Sequence, residues 1–254
     1  MSSTSSPRVQ EQPVARIQEQ VERVIEDLLA SLPKTDQLSA EQRRGIIARY
    51  TAVLEGNFIY WMTGAWLAVK SDAARSKIVE NLHEEVRDSH PNMMRKFAMA
   101  AGALPTTGDT MAVHQSLTDM RLFIGRLSSV RILITMAFFE GLIQRFMPYL
   151  AELAQLQGST EMEYTDVHGV CDVTHTAELY RALEAEMLLS NEAAAAAAGV
   201  SFEGVELLRM LCENIITGSR AAVRSARKSD EAYDARLRPV HVSGNGASGV
   251  RAQA

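Results

Sequence analysis

Apolar positions along this chain recur mostly at intervals of three and four. Ile17, Val21, Val24, Ile25 and Leu28 mark a first amphipathic helix. The stretch "SAEQRRGIIARYTAVLEGNFIYWMTGAWLAV" predicts one long helix from a Ser39 cap to about Val69, with Gln42 three residues after the serine. A helix over 72–90 stops near "SHP", because Pro91 disfavours helical geometry at His90. Pro91 itself suits the first turn of the next helix, "PNMMRKFAMAAGA".

"LPTTGDT", 104–110, breaks the pattern. Helices follow over about 110–125, 128–156 with a kink expected at Pro148, 165–198 and 201–228. Ser201 suits the N-cap of the last helix and Glu203 its first turn, while Gly204 at the third position rules out a capping box. The alanine run at 193–198 reads as a close-packed helix surface. Strand-like alternation, internal repeats and interdomain linkers do not emerge. The expectation is all-α: a single helical bundle of about seven to eight helices over 14–230, with disordered segments at 1–13 and 241–254.

Composition agrees with that reading. Apolar residues make up 46% and aromatics only 6%, a mix that favours helices over sheets. A net charge of −5 without a basic stripe gives no reason to expect nucleic acid. No run of about 18 apolar residues predicts a membrane span, and "MSSTSSPRVQEQPV" lacks the apolar core of a signal peptide. Two cysteines, Cys171 and Cys212, make no disulfide framework. The expected setting is cytoplasmic.

Chemistry concentrates in four places. In "VHGVCDVTH", His168, Asp172 and His175 fall within roughly 60° of one another around a helix turning about 100° per residue. Two imidazoles and a carboxylate on one face suit iron, manganese or zinc, although a solvated polar stripe has the same spacing. The segment "ENLHEEVRDSHP" holds Glu80, His83, Glu84, Glu85, Asp88 and His90. Glu84 and His90 lie about 120° apart on an ideal helix, so spacing alone does not choose ligands there. In "TMAFFEGLIQRFM", Glu140 is the only acid between Asp119 and Glu152, set among phenylalanines and aliphatic residues. Glu55 in "TAVLEGNFIYW" is a second acid in an apolar run. Buried carboxylates are costly unless paired or metal-bound, and inward-facing acids and histidines on several helices are how a bundle builds a dinuclear site. Glu80–His83 is one E-x-x-H match, but the second such motif of ferritin-like sites is missing.

These residues resemble the heme-oxygenase-like diiron oxidases and oxygenases, over roughly residues 40–225. The family pattern is a Glu followed by a His, a mid-chain Glu, then H-x3-D-x2-H; here it falls on Glu84 and His90, Glu140, and His168, Asp172 and His175. Glu80 and Glu85 stand as alternatives to Glu84. Glu55 matches the position of an extra carboxylate in some members. The resemblance implies a heme-oxygenase-like bundle without heme and two Fe(II)/Fe(III) ions. It also implies O2 as co-substrate, a peroxo-diiron(III) species, and an external electron donor such as a reductase. Known reactions of the family include N-oxygenation, desaturation and oxidative C–C cleavage, many in natural-product biosynthesis, so a small amine or amino-acid-derived substrate is expected, with N-oxygenation favoured.

Phe58, Trp61, Phe138 and Phe139 are candidate pocket walls, and Arg87, Arg131 and Arg145 candidate partners for a substrate carboxylate. A homodimer is expected from the frequency of symmetric dimers. Rival readings are a metal-free enzyme of the same fold, either a thiaminase-like hydrolase or a cofactorless quinone-forming oxidase, and a non-enzymatic iron-binding helical protein. A heme enzyme of this fold would need a histidine on its first helix, and none precedes His83.

Overall fold

A computed structural model describes residues 13–189 and 202–218, all within one compact unit. Residues 1–12, the alanine run with Ser201, and everything from 219 onward, including the tail with His241, lie outside the described residues. Among the described residues the chain forms nine α-helices and one short 3-10 turn. In order they are α1 (Pro13–Ala30), the 3-10 turn (Thr35–Gln37), α2 (Ala40–Leu54), α3 (Asn57–Ala68), α4 (Asp72–Arg87), α5 (His90–Ala100), α6 (Thr107–Ile124), α7 (Ser129–Leu156), α8 (Glu163–Leu189) and α9 (Glu203–Thr217). The all-α bundle expected from the hydrophobic pattern is what forms.

Helix α7 is the centre of the bundle. Every residue from Ile132 to Ile143 is buried, because α1, α2, α3, α8 and α9 all pack against it. Burial on all sides requires a helix apolar all round, and Glu140 is the one charged group within that run. The helix continues through Pro148. α8 follows after a short loop and packs along α7, which places the Glu140 helix against the His168–His175 helix.

One expected element divides in two. The predicted 39–69 helix starts as expected, with a capping box between Ser39 and Gln42. It stops at Leu54, since Gly56 takes φ +86° and reorients the chain into α3. Glycine enters this left-handed region without the Cβ penalty other residues meet. A second turn matters more for the site. α4 ends at Arg87, Ser89 sits at φ +56°, and His90 opens α5 with Pro91 directly behind it.

Two buried groups tie the frame together. Glu186 on α8 is fully buried and accepts from the backbone N–H groups of Ser71 (2.9 Å) and Lys70 (3.0 Å), just ahead of α4. A carboxylate at a helix N-terminus satisfies otherwise orphaned donors and the helix dipole, so this contact fixes α4 against α8. Gly204 lets α9 approach α6 and α7 closely: a Cβ there would collide with the side chains of Thr135 and Phe123.

Candidate metal centre

Three helices and one turn bring the polar residues together inside this frame. α4 contributes Asn81, Glu84 and Glu85; the first turn of α5 contributes His90; α7 contributes Glu140; α8 contributes His168, Asp172 and His175. All but Glu84 are buried, and the Glu84 side chain is 37% exposed.

The first cluster is Glu85, His90 and His168. The His90 Nδ1–H donates to Glu85 Oε1 at 2.7 Å, and His168 Nε2 lies 3.9 Å from the same oxygen. The two imidazole rings meet edge to face at 4.6 Å. His168 Nδ1 donates to the Tyr164 carbonyl at 2.8 Å, which leaves the Nε2 lone pair facing the cluster. Burial pushes the His168 pKa down to about 4, so this ring is neutral at ordinary pH. Burial also raises the Glu85 pKa, partly offset by His90. Burial alone would lower His90, but the Glu85 carboxylate outweighs it and the pKa is raised.

The second cluster is built around His175. Its Nε2 is 2.8 Å from Glu84 Oε2, while Nδ1 lies 3.6 Å from Asp172 Oδ1 and 3.8 Å from Glu140 Oε1. The latter two are too long for good hydrogen bonds, and His175 Nδ1 and Asp172 Oδ2 are both buried without a partner. Burial works against a charged His175, yet the surrounding carboxylates push its pKa up to about 11. Burial, then the neighbouring Glu140 charge, push Asp172 up to about 7. Asn81 Nδ2 donates to Glu140 Oε1 at 2.7 Å, and the Cys171 thiol donates to Asp172 Oδ1 at 3.1 Å.

Ligand atoms of Glu85, His90 and His168 all lie within 4.8 Å of one another, and so do those of Cys171, Asp172 and His175. These donors fit a metal. Histidine and carboxylate side chains converge, one histidine has its tautomer fixed by a backbone carbonyl, and two buried polar atoms lack the partner that burial normally demands. Four carboxylates, Glu84, Glu85, Glu140 and Asp172, gather around three imidazoles here.

A family model described as iron-containing redox enzyme matches residues 47–204, more than half of the 254-residue chain. The chain belongs to that family. It is an oxidoreductase of the heme-oxygenase-like fold, and the matched span includes every residue of both clusters. Comparison with curated proteins gives no match.

The structure departs from the sequence expectation at several residues of this enzyme. Glu85, not Glu84, meets His90; Glu84 turns to His175 instead. The cause is the break after Arg87, which carries His90 off the ideal-helix path. Glu80 is exposed and pairs with Lys77. Glu55 is not brought to the clusters: as the C-cap of α2 beside Gly56 it faces outward and pairs with Arg95 at 2.7 Å. Of the four aromatic candidates, Phe58 and Phe139 line the small cavity of about 30 Å³ beside the first cluster. Trp61 stands behind Phe139, edge to face at 5.3 Å, and Phe138 is buried core. Arg87, Arg131 and Arg145 pair with Asp88, Glu203 and Glu22, away from both clusters.

Asn81 and Tyr164 went unremarked in the sequence. An asparagine one turn before an acidic pair carries no signal of its own, and Tyr164 acts through its carbonyl. The cysteines make poor nucleophiles. Burial, then the Asp172 charge, raise the Cys171 thiol, and burial pushes Cys212 up to about 12; both disfavour a thiolate mechanism. Among the described residues no helix is long and apolar enough to cross a membrane.

Proposed function

We propose that this enzyme is a non-heme diiron oxygenase or oxidase that uses O2 to oxidise a small amine or amino-acid-derived substrate, by N-oxygenation in preference to desaturation or C–C cleavage. One observation carries the reading: two groups of ligand-competent side chains, both anchored on α8, converge in the interior. Glu85, His90 and His168 would hold one iron. Glu140, Asp172 and His175, with Glu84, would hold the other. Two divalent cations balance four carboxylates and three neutral imidazoles, which a single cation does not.

Iron bound there supplies O2 activation and electron transfer. The protein's own part is positional. The Tyr164 carbonyl keeps the His168 proton on Nδ1, and Asn81 holds one oxygen of Glu140. Phe58 and Phe139 give the cavity beside His90 an apolar wall. The rise in Asp172 and His175 means both give up protons as cations bind. An external electron donor completes the cycle. Anaerobic Fe(II) titration with metal quantification tests the reading: uptake of about two Fe(II) per chain supports it, and no uptake contradicts it.

A further inference from the structure

The cavity beside the Glu85–His90–His168 cluster has a volume of about 30 Å³, room for a water-sized species and not for a substrate body. A second cavity of about 130 Å³ lies next to it. Leu54, Phe139 and Ile143 line both, so one wall separates or joins the two spaces. Leu28 from α1, Val53 from α2, Leu142 and Phe146 from α7, and Leu208 and Leu211 from α9 form much of the rest.

The polar residues that line it are committed elsewhere. Tyr50 shares a hydrogen bond with Tyr164 at 2.8 Å, Ser31 donates to the Leu28 carbonyl, and Glu213 pairs with Arg209. Ser31 and Thr217 are exposed and mark the outer end; Phe139 and Ile143 mark the end at the metal centre. Protein interiors are packed with few such voids, and an apolar cavity of roughly 150 Å³ is known to take up benzene.

We propose that this cavity receives an uncharged hydrocarbon part of the substrate, a short alkyl chain or a single aromatic ring, whose polar end reaches the Glu85–His90–His168 cluster past Phe139 and Ile143. This rests on the reading of that cluster as the reaction centre. The substrate is then an amphiphile: an amine or amino-acid derivative of this enzyme carries an apolar group of that size.

The test uses the full-length protein with benzene and 1-hexanol as probes, followed by calorimetry. The wild type should bind both, and Leu211→Trp, which fills the cavity away from the metal centre, should bind them at least tenfold more weakly while taking up Fe(II) equally. In Fe(II)-loaded wild-type protein, 1-hexanol should shift the near-infrared circular dichroism of the iron, and Leu211→Trp should remove that shift. Should Leu211→Trp fail to fold, Ile216→Trp at the half-buried outer side takes its place. Absent probe binding in the wild type, undiminished binding in the filled variant, or an iron spectrum indifferent to 1-hexanol overturns the proposal while leaving the iron reading intact. Probe binding without any Fe(II) uptake overturns the iron reading and, with it, the assignment of this cavity to substrate.

Discussion

His168 donates its Nδ1–H to the Tyr164 carbonyl one turn earlier on α8, at 2.8 Å. The same Tyr164 gives its hydroxyl to a buried pair with Tyr50, also at 2.8 Å. Only the backbone of Tyr164 touches the imidazole's proton, so the two roles separate. Tyr164→Phe should leave Tyr50 with a buried hydroxyl lacking its partner and cost about 1–3 kcal/mol of stability, read as a lower denaturation midpoint. Fe(II) affinity should stay within about threefold of wild type, because the carbonyl that orients His168 remains.

The α4–α5 turn makes a sharper claim about the acids. Glu85 is buried against His90, Glu84 is half-buried against His175, and Glu80 is exposed. Glu85→Ala should weaken Fe(II) binding by at least about 100-fold. Glu84→Ala should weaken it less, and Glu80→Ala should leave it unchanged. Competitive titration against a chelator of known affinity measures all three. Equal losses at Glu85 and Glu80 would refute the placement.

Asn81 supplies the buried hydrogen bond to Glu140. Groups that orient metal ligands typically contribute about 10–100-fold in metal affinity. Asn81→Ala should show a loss of that size in the chelator competition, and Asn81→Gln should not restore it, since its longer side chain moves the amide.

Proton linkage gives a pH signature in the metal-free protein. His175 is raised from 6.5 to about 11 by its carboxylate neighbours, against the effect of burial. Its contribution is therefore complete below about pH 6.5 and is lost as pH rises toward 11. Asp172 is raised from 3.8 to about 7 by burial and by Glu140, so charging it costs stability as pH rises from about 4 to 7. His168, depressed from 6.5 to about 4 by burial, works the other way below about pH 6.5 and offsets Asp172 there. Above that the folded chain holds more protons than the unfolded chain, and stability falls with rising pH. The melting temperature of the metal-free protein should drop from about pH 7 to about pH 9. Divalent metal, which displaces those protons, should stabilise more strongly at the upper end. A double variant, Asp172→Asn with His175→Gln, should flatten the slope.

The fold was legible because helical periodicity is a local signal, and the α8 trio was legible because one regular helix presents it. Three features were not. The break at Gly56 hides in a continuous apolar run, where a lone glycine reads as tolerated. The Glu85–His90 contact crosses a turn through Ser89 at φ +56°, which no count of 100° per residue reaches. Glu186 looks like any acid on a helix, yet it is fully buried because its partners are backbone N–H groups ahead of α4. Glu55 misled for the opposite reason: apolar neighbours in sequence implied burial, while the turn beside it points the carboxylate toward Arg95.

The most direct test of the diiron reading counts metal. Under anaerobic conditions the wild-type protein should take up about two Fe(II) per chain, and His168→Ala and Glu140→Ala, each folded by circular dichroism, should fall clearly below that. Full uptake in both variants, or no uptake in the wild type, would contradict the assignment.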